Sequence, residues 1–138
     1  MPDKICSDLA KYRIEKAKAC LQTADVVYST EDYLAVLNRS YYAIFNAIRA
    51  IFAIDSVDRR KHSGVIAYFQ QNYVKTGIFD KEYSTIVQDA FEVRQESDYE
   101  DFYIVSKEEV EIQMSNAKKF VDAVEEYLKK YYSWIRLL

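Results

Sequence analysis

The sequence is poor in the residues from which tight turns, phosphate loops and metal sites are built. Two Gly, one Pro, two Cys and one His occur among 138 residues, and the Pro stands at position 2. A sheet protein of this length needs many more turn-formers, so a β architecture is excluded. Gly64 and Gly77 lie too far apart for either familiar Gly-rich phosphate loop, which removes P-loop NTPases and dinucleotide-binding folds. One His and two distant Cys make no zinc-ligand pattern, and neither a metal nor a cofactor is expected. No apolar run approaches a membrane span, and the first residues carry no signal-peptide pattern. Net charge is −3, which argues against a general electrostatic grip on nucleic acid. Any nucleotide or RNA site must therefore be local and shaped. Cys6 and Cys20 fall on one expected helix, ~21 Å apart, too far to bridge. Reduced thiols in a cytoplasmic protein follow.

What is present in quantity is hydrophobic and aromatic. Half of the chain is hydrophobic, with thirteen Tyr and seven Phe. That suits one all-α domain over residues 1–138, an up-and-down bundle of about five helices. The periodicity predicts a first helix from about Asp3 to Val27, with Leu9, Ala17, Cys20, Ala24 and Val27 on its apolar side. Ser29 and Thr30 offer N-caps for a second helix from Glu31 to Ile54. Its stripe is Leu34, Leu37, Tyr41, Phe45, Ile48 and Phe52, with small residues behind, which places it at the bundle's centre. Residues 55–61 read as a loop. A third helix spans His62 to Lys75 and is stopped by Gly77. Asp80 caps a fourth helix to Tyr99, and residues 100–105 break the pattern. Ser106-Lys107-Glu108-Glu109 matches a capping box and opens a fifth helix. Glu125/Lys129 and Glu126/Lys130 mark that helix's solvated face.

Chemistry concentrates at a few positions. Tyr83, Val87, Ala90 and Arg94 stack on one face of the fourth helix, with Asp98 one turn beyond. A guanidinium in line with a core stripe needs its donors paired. Asp98 supplies part of this, and a neighbouring helix, a second subunit or a phosphate must supply the rest. Asn38, Tyr42, Asn46 and Arg49 line a polar strip on the flank of the second helix, suited to an interhelical network or a groove. His62 follows Arg59-Arg60-Lys61 at a helix start. That run reads either as a solvated, capped turn or as a phosphate contact. The apolar tail, residues 131–138, either folds back or docks on a second chain.

Three segments in register carry a resemblance: Asn38-Arg39-Ser40-Tyr41-Tyr42-Ala43-Ile44-Phe45, Lys61-His62-Ser63-Gly64-Val65-Ile66 followed by Phe69, and Ala90-Phe91-Glu92-Val93-Arg94-Gln95-Glu96-Ser97-Asp98-Tyr99. They resemble the small bacterial and archaeal HEPN-domain proteins, in the branch with an Arg-x-x-x-Asp-Tyr ending, over roughly residues 5–130. The resemblance implies a helical bundle, often a homodimer, and pairing with a small nucleotidyltransferase in a toxin–antitoxin-like module. Many HEPN proteins are metal-independent ribonucleases using Arg-x(4–6)-His at a dimer cleft. Arg94 matches that Arg, but Tyr99, Glu100 and Asp101 stand where the His would be. A Tyr hydroxyl, with a reference pKa of about 10, is a poor substitute for imidazole. The expectation is a protein that leans away from enzyme activity. It binds a nucleotide-like or RNA-like ligand, or a transferase partner, around Arg94, Asp98 and Tyr99. The alternatives are a ribonuclease using Arg94 with His62 or Tyr99, and a structural helical dimer without ligand.

Overall fold

A computed structural model describes the backbone of residues 4–137 and the side chains of residues 4–130. Among them are five α-helices in up-and-down order and no strand: α1 (Lys4–Ser29), α2 (Tyr33–Ile54), α3 (His62–Phe69), α4 (Lys81–Tyr99) and α5 (Lys107–Leu137). A π-helical turn, Gln70–Val74, continues α3. Gly77, at φ +83°, then reverses the chain, a conformation that costs glycine little.

Side-chain polar contacts fix some of the helix ends and are absent from others. Ser29 and Thr30 do not cap α2. Their hydroxyls donate back to Val26 and Val27 carbonyls at 2.6 and 2.7 Å and close the end of α1. Glu31 sits at φ 63°, outside helical space, so α2 starts later than the spacing suggests. Asp32 is its N-cap, accepting from the Ala35 amide at 3.2 Å. Asp80 precedes α4 without a side-chain cap bond. Half of the expected capping box forms at α5. Ser106 Oγ accepts from the Glu109 amide at 3.0 Å, while the Glu109 carboxylate is taken by Gln113.

α1 and α2 form an antiparallel hairpin, registered by the Arg13 guanidinium donating to the Arg49 carbonyl at 2.9 Å. α5 lies along both, with Glu125 bound to Lys18 of α1 and the Tyr127 hydroxyl donating to Asp55 at the end of α2. α2 is buried on most of its circumference, as expected of the central helix. Two details of the expected faces change. α1 buries Ala10, Ile14, Ala17, Cys20 and Ala24, which leaves Leu9 about 100° off the buried stripe and exposed. Leu34, in the first turn of α2, is likewise exposed. The outer face of α5 is also wired differently. Glu125 reaches across to α1, and Lys129 pairs with Glu126. The apolar tail's partner surface concerns side chains outside the described residues.

Asp55 ties three elements together. Its Oδ2 accepts from Tyr73 of the π turn at 2.6 Å and from Tyr127 of α5 at 3.1 Å. Burial and the adjacent carboxylate push the Tyr73 hydroxyl's pKa up, so it remains a donor throughout the physiological range. Asp55→Ala should destabilise by about 1–3 kcal/mol by leaving a buried hydroxyl without its acceptor, read as a lower urea midpoint.

Candidate functional site

Arg94 reaches from α4 onto the flank of α2 that carries Tyr41 and Tyr42. Its guanidinium carbon lies 5.4 Å from the Tyr41 ring centre and 5.7 Å from that of Tyr42. Nη2 donates weakly to the Tyr42 hydroxyl at 3.4 Å. Nε stands 2.9 Å from Asp98 Oδ2, the expected i,i+4 ion pair. The N–H does not point along that contact, so Nε stays a buried donor with no aligned acceptor among the described residues. The side chains of Arg94 and Asp98 are 20% and 37% exposed. The cation is thus held mainly by aromatic faces and one half-open carboxylate, with donors left over.

His62, the first residue of α3, is not a solvated turn residue. Its ring stacks on Phe45 at 4.2 Å and on Tyr41 at 5.6 Å, and meets Tyr42 edge-on at 5.8 Å. Nδ1 is 2.6 Å from the Tyr41 hydroxyl. Burial, and then the positive charge of Arg94, hold the His62 pKa below its ordinary 6.5, so the imidazole is neutral near pH 7. Burial raises the Tyr41 hydroxyl's pKa, against the pull of Arg94. Tyr41 and Tyr42 therefore join the imidazole to the guanidinium, which the sequence places 32 residues apart.

The lowered His62 pKa sets a pH dependence. The unfolded chain takes up a proton near pH 6.5 while the folded chain resists it, so stability is full above that pH and declines as pH falls below it. His62→Phe, which keeps the stacking and cannot titrate, should flatten this decline in urea midpoints measured from pH 7.5 to 5.

The polar strip on α2 separates into parts. Tyr42, Asn46 and Arg49 line an open cavity of about 330 Å³, together with Lys16 and Cys20 of α1 and Arg39 and Phe45 of α2. Asn46 donates back to the Tyr42 carbonyl at 2.8 Å, which fixes its amide. Asn38 is outside the cavity and serves Arg39, whose Nε and Nη2 donate to its Oδ1 at 3.1 and 2.7 Å. The Arg39 guanidinium carbon lies 5.3 Å from the Tyr42 ring centre, so Arg39 and Arg94 share that ring. Tyr99, at the end of α4, is 79% exposed and stands apart from the Tyr41–His62 contacts. Tyr41, Phe45, Arg39 and Lys16 are the site residues that sequence reasoning passed over. An Arg inside the apolar central helix was the available signal for Arg39. Among the described residues no cluster of three or more His, Cys, Asp or Glu is placed to hold a metal ion, and no helix is long and apolar enough to cross a membrane.

These features define a class: an all-α bundle with an arginine–aromatic–imidazole centre on the flank of its central helix. The chain belongs to the HEPN family, whose domain model matches residues 10–127. It is 30% identical to a Methanocaldococcus jannaschii protein named "Putative toxin", over 83% of this chain and 78% of that one. A UPF0332 protein of Thermotoga maritima is 31% identical over 88% of this chain and 92% of its own. A second M. jannaschii protein with the "Putative toxin" name is 30% identical, over 85% and 87% of the two chains.

Proposed function

We propose that this HEPN protein is the toxin-like member of a cytoplasmic two-component module and binds RNA through Arg94. The observation that carries the reading is the incompletely satisfied Arg94 guanidinium, held by Tyr41, Tyr42 and Asp98 beside a neutral His62. A structural ion pair needs neither the spare donors nor the imidazole. A phosphodiester oxygen would use the donors, and a planar fork suits it. The names of the M. jannaschii relatives agree with a toxin-like role, and the family resemblance adds a homodimer and a small nucleotidyltransferase as partners.

One observation favours a second reading, ribonuclease activity. Tyr41 brings His62 within reach of the charge of Arg94, so an imidazole is present despite the Tyr at position 99. In such a reaction His62 takes the 2′-hydroxyl proton as the 2′-oxygen attacks phosphorus. Arg94 neutralises the charge growing on the phosphate oxygens, and the departing 5′-oxygen takes a proton from water. Tyr99 has no comparable support.

Anisotropy with a labelled single-stranded oligoribonucleotide, run with and without a chelator, tests both readings. Saturable binding with intact RNA is the expected result. Chelator-resistant cleavage lost in His62→Phe would establish the second reading instead, and absence of any binding would overturn the first.

A further inference from the structure

The cavity between α1 and α2 carries more positive charge than the HEPN centre beside it uses. Lys16, Arg39 and Arg49 line it, and no described carboxylate pairs with any of the three. In a chain of net charge −3, three unpaired cations around one cavity are a local reversal of sign. Arg13 adds a fourth nearby, since its guanidinium reaches the Arg49 carbonyl at 2.9 Å. Burial and then the charge of Arg49 depress its pKa, with Arg60 adding a smaller repulsion and Asp58 an opposing pull. Like charges held this close favour an anion between them.

We infer that this α1–α2 groove is a track for the phosphate backbone of single-stranded RNA, leading past Tyr42 to Arg94. Length favours a strand over a single phosphate group. From Arg39 to Arg49 the helix rises ~15 Å, several times the width of one phosphate group. Tyr42 makes the track continuous with the centre, because Arg39 and Arg94 both lie against its ring. Asn46 contributes a fixed amide on the groove wall. Every group in the groove addresses phosphate or a generic surface, so recognition along it is independent of base sequence.

The inference rests on RNA being the ligand of the Arg94 centre, and the test separates the two. Affinity of a labelled twelve-nucleotide RNA is measured by anisotropy at several salt concentrations, for the wild type, Lys16→Glu, Lys16→Glu/Arg49→Gln and Arg94→Lys. Inorganic phosphate and ATP serve as competitors. Far-ultraviolet circular dichroism checks folding, and Lys16→Glu alone, at an exposed position, keeps the test open if Arg49→Gln destabilises the bundle. The double variant should bind at least about tenfold more weakly, and its slope of log affinity against log salt should fall by about 1.4, two phosphate contacts at ~0.7 each. ATP should compete poorly. RNA binding that depends on Arg94, with affinity and salt slope unchanged in the Lys16 and Arg49 variants, would overturn the groove and leave the centre. Binding that depends on Lys16 and Arg49 but not on Arg94 would leave the groove and overturn the centre. Equal displacement by ATP and by unlabelled RNA would assign the groove to a nucleotide and overturn the strand.

Discussion

Phe69→Ala is expected to destabilise the protein by about 3–5 kcal/mol, through lost burial and a cavity that its neighbours cannot fill. Phe69 is fully buried where α3 runs into the π turn. Its ring faces Phe79 at 5.4 Å, Phe120 of α5 at 5.4 Å and Tyr73 at 5.8 Å. Rings from three separate segments converge there, so no single rotamer change closes the gap. Each aromatic pair also contributes about 0.5–1.5 kcal/mol beyond its buried area. Glu126→Ala is the control. Among the described residues that exposed side chain pairs only with Lys129 on its own helix, and its loss should shift stability by less than ~0.5 kcal/mol. Comparable urea midpoint shifts for the two variants would contradict this assignment of core and surface.

The bundle was readable from periodicity because its helices are long and their stripes depend on local spacing alone. α2 shows this best: Leu37, Tyr41, Phe45, Ile48 and Phe52 are all buried, as their 3.6-residue rhythm demands. Helix ends were less readable. A hydroxyl can cap the helix ahead of it or close the one behind it, and Ser29 and Thr30 do the second because Glu31 takes a left-handed conformation. The single-residue register also failed at Leu9, where small residues, Ala10 and Ala17, set the packed face of α1 instead of the bulkier side chain.

The site divides along the same line. Arg94–Asp98 is an i,i+4 pair on one helix, so spacing alone foretold it. The meeting of His62 with Tyr41 and Phe45 depends on how α3 docks against α2, which no local pattern encodes. Lys16 entered the cavity through the pairing of α1 with α2, again a tertiary fact. Tyr99 was the reverse case. It belongs to the motif by position, yet its place at the end of α4 turns it to solvent.

Arg94→Lys should abolish most RNA binding, weakening it at least tenfold, while leaving the fold nearly intact. A Lys keeps the charge and its stem covers similar apolar surface, so the stability cost comes from the two ring contacts and the weak Tyr42 hydrogen bond, about 1 kcal/mol in total. An ammonium cannot reproduce the planar fork that a phosphate would engage between Tyr41 and Tyr42. Asp98→Ala probes the opposite hypothesis, that the pair exists for stability. A fully buried pair would lose about 3–5 kcal/mol on removal of one partner, because the other charge is stranded. Here the Asp98 side chain is 37% exposed, and Arg94 keeps the Tyr42 hydroxyl and both rings. Water can replace the lost carboxylate, so the expected cost is about 1 kcal/mol. Denaturation curves for both variants, set beside their RNA affinities, separate the cases. A loss above ~3 kcal/mol in Asp98→Ala, with unchanged affinity in Arg94→Lys, would make the cluster a helix clamp and remove Arg94 from the binding site. Small stability changes in both, with affinity collapsing only where the guanidinium is gone, are what its spare donors and half-open carboxylate require.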